Sequence, residues 1–302
     1  MNTRTSRSAV AALVQGAIAA MQWRLWLLWV LISLLPTLLV ALPLWTTLDG
    51  LLGYSVHADA WASHLDGWMM ADVTQALGGS DWLTPTVAAG ALLTLLLSPF
   101  LAAMAVSAGR AGRALGFGAL LQGGAADYGR LLRLYVPALL PYGLVVLAGR
   151  AVMPMADRHV ESALSQGRAD LYHDAALALV VLCFVIAQAI VESARAQFIA
   201  DPTLRSALRA FGRGVVQFVR RPFACLGIYL VITLFGGGLD ALVAAWRGHV
   251  TAAGSGVVWG FVVVQLGVIV VAWMRTARLI ALSGLTAGTA TQRRRSALAP
   301  AF

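Results

Sequence analysis

Residues 201–246 read DPTLRSALRAFGRGVVQFVRRPFACLGIYLVITLFGGGLDALVAAW, and this stretch decides the fold. Its first half places Leu204, Leu208, Phe211, Val215 and Phe218 at i, i+4, i+7, i+11 and i+14, the stripe of one helical face. Arg205, Arg209 and Arg213 recur beside that stripe at i+4 spacing, and Asp201-Pro202 offers an N-cap followed by a first-turn proline. After Arg220-Arg221 the character changes. From Phe223 to Trp246 only Asp240 is charged, and a run of that length crosses a hydrocarbon core, which needs about 20 apolar residues. The pattern predicts a helix lying in a membrane interface, arginines on lipid phosphates, leading into a helix that spans the bilayer.

Five further runs have the same reach: Leu25–Trp45, Pro85–Ser107, Leu131–Met153, Ala175–Ser193 and Gly256–Met274. With 60% of the 302 residues hydrophobic and only 12% charged, the chain exceeds what an aqueous core can hide. A net charge of +9 and a pI near 10.7 would suit a nucleic-acid binder, but the basic residues are dispersed between apolar runs rather than gathered on one soluble face. No nucleic-acid partner is expected. Cys183 and Cys225 lie in or beside apolar runs with no metal-ligand spacing, so they read as small packed hydrophobes.

Arginine placement sets the orientation. Arg4, Arg7 and Arg24 precede the first run, and Arg110, Arg113, Arg130 and Arg133 join the second to the third. Arg195, Arg205, Arg209, Arg213, Arg220 and Arg221 join the fourth to the fifth, and Arg275, Arg278, Arg293, Arg294 and Arg295 follow the sixth. The opposite side holds only Arg150, Arg158, Arg168 and Arg247. The positive-inside rule places both termini in the cytoplasm of a bacterial inner membrane, with the first run kept as a signal anchor. The expected partners are the bilayer itself, anionic headgroups on the cytoplasmic side bound by Arg205, Arg209, Arg213, Arg220 and Arg221, and a membrane or periplasmic protein.

The fold class expected is all-α: a polytopic membrane protein whose six transmembrane helices form three hairpins, each preceded by a cytoplasmic amphipathic helix. Residues 1–285 read as one membrane domain of three pseudo-repeats, about 1–107, 108–198 and 199–285, and residues 286–302 as a basic, disordered tail. Arg7-Ser8-Ala9-Val10 leading to Gly16 repeats as Arg205-Ser206-Ala207-Leu208 leading to Gly214, and Gln15-Gly16 returns as Gln122-Gly123. Pro36, Pro141 and Gly236-Gly237-Gly238 fall at corresponding depths of the outward helices. Matched helix breaks of this kind either face a central binding site or simply kink the spans.

The stretch DPTLRSALRAFGRGVVQFVRRP running into a span resembles the membrane domain of glycerophosphodiester phosphodiesterases and the YciC-like inner-membrane proteins. The resemblance implies an all-helical membrane domain and carries no function with it. Mitochondrial carriers also have three hairpins, but their Px[DE]xx[KR] signatures are absent here.

Chemistry-bearing residues divide between two places. Within the runs, Gln188, Glu192, Asp240 and Gln265 form a candidate intramembrane polar site, because polar groups at that depth are costly. Glu192 and Arg195 are spaced as an ion pair, and Gln265 as an interhelical hydrogen bonder. On the outer side, His57, Trp61, His64 and Trp68 share a helical stripe in an acidic loop, which reads as an interfacial anchor. With His159 and His173, these histidines are the alternative candidates for a divalent metal; otherwise no cofactor is expected. No HExxH, GxSxG, P-loop or dinucleotide motif occurs, so no catalytic residue is assigned. The reading is a non-enzymatic inner-membrane protein that handles a small or lipidic solute or assists a membrane complex. The alternatives are a docking subunit using the Trp/His/Asp loop, an intramembrane enzyme and a periplasmic metal binder.

Overall fold

A computed structural model describes residues 3–52, 67–161, 166–250 and 254–297, which form ten helices with no strand among the described residues. They are α1 (Thr3–Ala19), α2 (Trp23–Leu52), α3 (Gly67–Gly78), α4 (Leu83–Ala111), α5 (Phe117–Arg133), α6 (Tyr135–Glu161), α7 (Gln166–Ala200), α8 (Ala207–Arg220), α9 (Pro222–Gly248) and α10 (Ser255–Ala297). Six contain segments long and apolar enough to cross a membrane: Trp23–Leu51, Leu83–Ala111, Tyr135–His159, Asp170–Ala200, Pro222–Gly248 and Gly256–Thr286. Their outward surfaces are oily. Leu147 is 63% exposed and Leu234 71%, and many neighbours match them. Apolar surface on that scale needs lipid rather than water as its solvent, so the chain is a multi-pass membrane protein.

The helices overrun the expected spans at both ends: α4, α7 and α10 continue at the arginine-bearing end to Ala111, Ala200 and Ala297, while at the other end α2 and α6 continue to Leu52 and Glu161 and α7 begins at Gln166. Alanine, arginine and glutamine are good helix formers, so leaving the apolar run gives the backbone no reason to stop. Part of the stretch expected to be a disordered tail is therefore helical, as far as Ala297. Prolines do not interrupt the spans either: α2 runs through Pro36 and Pro43, and α6 through Pro141 and Pro154. Each costs the helix one donor without ending it, since neighbouring helices hold the backbone. Helix α9 likewise continues through Gly236-Gly237-Gly238. Gly236 there admits Met274 of α10, whose Sδ lies 2.8 Å from where a Cβ would stand.

At the centre α4, α7 and α10 lie against one another. Gly109 marks the meeting point, because a Cβ there would sit 2.9 Å from Ile199 Cδ1 and 3.2 Å from Ile280 Cγ1. Outside this trio α2 packs on α4, α6 on α7 and α9 on α10. The short helices then cover one end, α5 on α4, α8 on α7, and α1 on the far-removed α10. Each crosses at a glycine. A Cβ on Gly16 would be 2.7 Å from Ala281 Cβ, one on Gly123 would be 2.6 Å from Ser107 Cβ, and one on Gly214 would be 2.6 Å from Ala194 N and Cα. Small residues on both faces let the backbones approach, the usual means of packing helices without a hydrophobic driving force. The core follows from this. Its buried alanines, among them Ala105, Ala108, Ala194, Ala196, Ala277 and Ala281, cluster at this end, whereas the far halves of the spans bury little.

Helix α8 docks on only part of its apolar stripe. Leu204, just ahead of the helix, is buried and Phe211 packs partly against the same core, but the fully buried residues within the helix are Ala207, Ala210 and Gly214, and Leu208 is 72% exposed. Its N-cap is Ser206, whose hydroxyl accepts from the Arg209 N–H at 3.4 Å, rather than Asp201. The Asp201 carboxylate is already engaged, accepting from the Thr203 amide at 3.1 Å and hydroxyl at 2.6 Å, and pairing with Arg213 at 2.7 Å. The Thr203 hydroxyl and then Arg213 hold the Asp201 carboxyl below the usual carboxylate range. A depressed folded-state pKa stabilises this turn above the ordinary carboxylate pKa, and the gain is lost as pH falls through the lower, folded value. Amide protection factors across residues 203–210, which are rates corrected for the intrinsic pH dependence of exchange, are expected to fall on acidification through that window. Asp201→Asn should have lower protection at neutral pH and lose this pH dependence of protection.

Candidate binding cavity and buried charge cluster

The tight end and the looser far end leave a cavity between α2, α4, α9 and α10, about 720 Å³ in volume and open rather than sealed. Residues at helical spacing line each wall: Trp29, Ser33 and Pro36 on α2, and Ala91, Thr94, Leu95, Ser98 and Leu101 on α4. Helix α10 contributes Val264, Gly267, Val268, Val271 and Arg275. Asp240 of α9 and Tyr135 of α6 complete the lining. The walls are mostly apolar, and the polar groups are few, which is the make-up of small-ligand pockets. Gly267 makes room for Asp240, whose Oδ1 lies 2.8 Å from where a Cβ on that glycine would stand. Arg275 is eight residues along the same helix, about 12 Å closer to the arginine end.

Behind Arg275 lies a buried charge cluster. Glu192 Oε1 is 3.3 Å from Arg195 Nη1 and 3.7 Å from Arg278 Nη2, with Glu192 and Arg278 both under a tenth exposed. Arg278 donates to the Thr233 hydroxyl at 3.0 Å and stacks its guanidinium 4.9 Å from the centre of the Tyr229 ring. Arg275 interacts electrostatically with Glu192, Arg195 and Arg278, and Tyr142 with Glu192 and Arg195. Three guanidiniums thus lie in the field of one carboxylate, Arg278 buried, Arg195 partly buried and Arg275 exposed on the cavity side. Two polar atoms here, Glu192 Oε2 and Arg278 Nε, are buried with no partner. A second ionic knot ties the short helices down: buried Asp127 of α5 pairs with Arg130 at 2.9 Å and with Arg110 of α4, whose Nε donates to the Phe198 carbonyl of α7 at 2.8 Å.

The residues singled out from sequence are dispersed over this frame. Asp240 and Pro36 reach the cavity, and Glu192 anchors the cluster beside it. Gln188 is half-buried on α7 and Gln265 half-buried on α10; neither lines the cavity, and Gln265 Oε1 is buried without a partner. Pro141 is buried on α6 away from the cavity lining, and Gly237 and Gly238 have no neighbour within 4 Å of where a Cβ would stand. His57 and His64 lie outside the described residues. His159 donates from Nδ1 to the Met155 carbonyl at 2.6 Å and packs on Tyr172, and His173 is exposed on α7. Among the described residues no group of His, Cys, Asp and Glu has the size for a metal site.

Four of the five arginines expected at lipid headgroups, Arg209, Arg213, Arg220 and Arg221, line one groove of about 570 Å³ between α8 and α10; Arg205 is exposed beyond it. Gln217 holds that groove together. Its amide donates to the Leu282 carbonyl at 3.0 Å and its oxygen accepts from Thr286 at 3.0 Å and from Gln197. Sequence reasoning misses Arg275, Arg278 and Tyr135 as site residues, and with them the wall of Ser33, Thr94 and Ser98. Their signal is a stripe: Val264, Val268, Val271 and Arg275 recur at i, i+4, i+7 and i+11, an oily face that ends in a guanidinium. Comparison with known proteins finds no matching family model, no matching curated protein and no matching solved structure.

Proposed function

We propose that this is a non-enzymatic protein of a bacterial inner membrane that holds a small or lipidic solute in the cavity between α2, α4, α9 and α10. The observation that carries the reading is the cavity itself: 720 Å³ at the level of the spans, apolar along its walls, with a carboxylate and a guanidinium at separate heights. A subunit whose only task is to hold another protein has no need of such a void, since packed helices are more stable than helices around a space. The orientation follows from the arginines, both termini cytoplasmic, with the end covered by α1, α5 and α8 inside. In this reading those three are interfacial helices, each leading into a hairpin of two spans, and the chain is a threefold repeat. Support comes from Gly16, Gly123 and Gly214, which recur at similar intervals along the chain and make three like crossings, against Ala281, Ser107 and Ala194.

Native mass spectrometry of protein extracted in mild detergent tests the solute. The wild-type protein is expected to retain an adduct beyond detergent, and Ala91→Trp, which places an indole at an exposed position of the cavity wall, is expected to lose most of it. The variant's melting temperature, unchanged from wild type, excludes a folding defect. Equal adduct occupancy in the two proteins, or no adduct in either, would remove the proposal.

A further inference from the structure

We infer that the solute is an amphiphile with a phosphate-monoester head, seated at Arg275 and Tyr135, and a single apolar chain along the cavity wall. The inference rests on the cavity being a solute site and adds the chemistry of what enters it. It begins with charge. Arg195 and Arg278 pair with Glu192, and Arg275, exposed on the cavity side, adds a third guanidinium to the same neighbourhood, which thus holds two more guanidiniums than carboxylates. At the level of the spans a guanidinium without a counter-charge is favourably met by an anion. Arg278 commits both terminal nitrogens, to Glu192 and Thr233, and stacks on the Tyr229 ring, leaving only its buried Nε without a partner. Arg275 has not: it makes no hydrogen bond or ion pair within the described residues, and it stands in the cavity lining. Its guanidinium is therefore the group that offers donors to a ligand.

The form of the missing anion follows from that excess. A phosphate monoester carries close to two negative charges near neutral pH and presents three acceptor oxygens, which matches the excess of two guanidiniums. The arginine fork meets such oxygens with paired donors, and the Tyr135 hydroxyl at the same end is a further donor, held only by a long 3.4 Å contact with the Leu95 carbonyl. A carboxylate or a phosphodiester, with one charge, leaves the cluster still in excess.

The shape of the remainder follows from the walls. Leading away from Arg275, Val271, Val268 and Val264 form an apolar strip on α10 that passes Asp240 at Gly267, and Leu95, Leu97 and Leu101 of α4 and Trp29 of α2 line the same cavity. That strip gives a chain of methylenes apolar contact, and the open side lets a longer chain continue outward. Free inorganic phosphate would use the head site and leave the strip empty.

The experiment uses the full-length protein in a neutral detergent, titrated with four probes: oleoyl lysophosphatidate, oleoyl lysophosphatidylcholine, monoolein and inorganic phosphate. Binding is read by native mass spectrometry and by the rise in melting temperature. Oleoyl lysophosphatidate is expected to bind at least about tenfold more tightly than the other three, the scale of a charge-assisted hydrogen-bonded pair. Arg275→Gln is expected to abolish that preference while leaving the melting temperature of the unliganded protein near wild type, and Tyr135→Phe to reduce it several-fold. Equal binding of lysophosphatidate, lysophosphatidylcholine and monoolein would overturn the phosphate head but leave the solute cavity standing. Phosphate binding as tightly as lysophosphatidate would overturn the apolar chain. No binding of any probe, together with the same native adduct in wild type and Ala91→Trp, would overturn the cavity reading as well. If Arg275→Gln fails to fold, retention of the full preference by a folded Tyr135→Phe and Arg275→Lys pair would overturn the assignment.

Discussion

Glu192→Gln is expected to lower the stability of the purified protein by about 3–5 kcal/mol, the range for removing one partner of a buried ion pair. Glutamine preserves the shape and one acceptor oxygen, so the loss reports charge. Among the described residues Glu192 is the sole acidic residue paired with Arg195 and Arg278, and Arg278 is 7% exposed by its side chain. Once the carboxylate is gone, the buried Arg278 guanidinium is left without its counter-charge and with Arg195 still nearby. Interhelical hydrogen bonds in membranes average well under this figure, roughly 0.6 kcal/mol, so a fall of that smaller size would mean that Glu192 acts as a mere hydrogen bonder. A double-mutant cycle makes the distinction sharp. Arg278→Met removes the charge that Glu192 chiefly faces on α10, and the pair Glu192→Gln with Arg278→Met should be less damaged than Glu192→Gln alone. Thermal unfolding in detergent, read by intrinsic tryptophan fluorescence, measures all four proteins. If the two losses simply add, the cluster is not a unit and the excess of positive charge loses its meaning for ligand binding.

The sequence and the structure agree where a feature is set by averages along the chain and part where it depends on contacts across it. Six apolar segments are visible in the sequence because lipid selects for a mean property over some twenty residues, and no neighbour is needed to judge it. Glu192 with Arg195 is visible because i,i+3 partners meet on any helix. Arg278, however, serves Glu192 from a different helix, and nothing in its own surroundings separates it from an arginine at a span's end. Asp240 and Pro36 stand out as oddities within their own runs, but the walls that turn them into a cavity, Thr94 and Ser98 of α4 with Val268 and Val271 of α10, are ordinary membrane-helix residues. The docking of α8 shows the same limit. Large apolar residues make its stripe conspicuous, yet the residues fully buried within the helix are alanine and glycine, because close approach of two backbones selects for small volume rather than for hydrophobicity.

That preference for small volume makes the glycine crossings the sharpest test of the architecture. Gly214→Ala is expected to destabilise the protein by about 1–3 kcal/mol, although alanine is a better helix former by roughly 1 kcal/mol. The added methyl would meet Ala194 N and Cα at 2.6 Å, and these are backbone atoms of a helix in the central trio, unable to rotate aside. Helix α8 must therefore lift away from α7, loosening the contacts of Ala207 and Ala210 and the Gln197–Gln217 bond with it. Gly212, two residues earlier on the same helix, has nothing within 4 Å of a Cβ, so Gly212→Ala keeps only the propensity gain and should leave the protein as stable or slightly more so. The contrast between the two removes helix propensity as an explanation. Gly16→Ala extends the test across the chain, because its methyl would fall 2.8 Å from Ala281 N and 2.9 Å from the Ala277 carbonyl, joining the first helix to the last. If α1 is held to α10 as closely as α8 is to α7, Gly16→Ala and Gly214→Ala should have losses of similar size. A neutral Gly16→Ala beside a damaging Gly214→Ala would mean that α1 is held loosely.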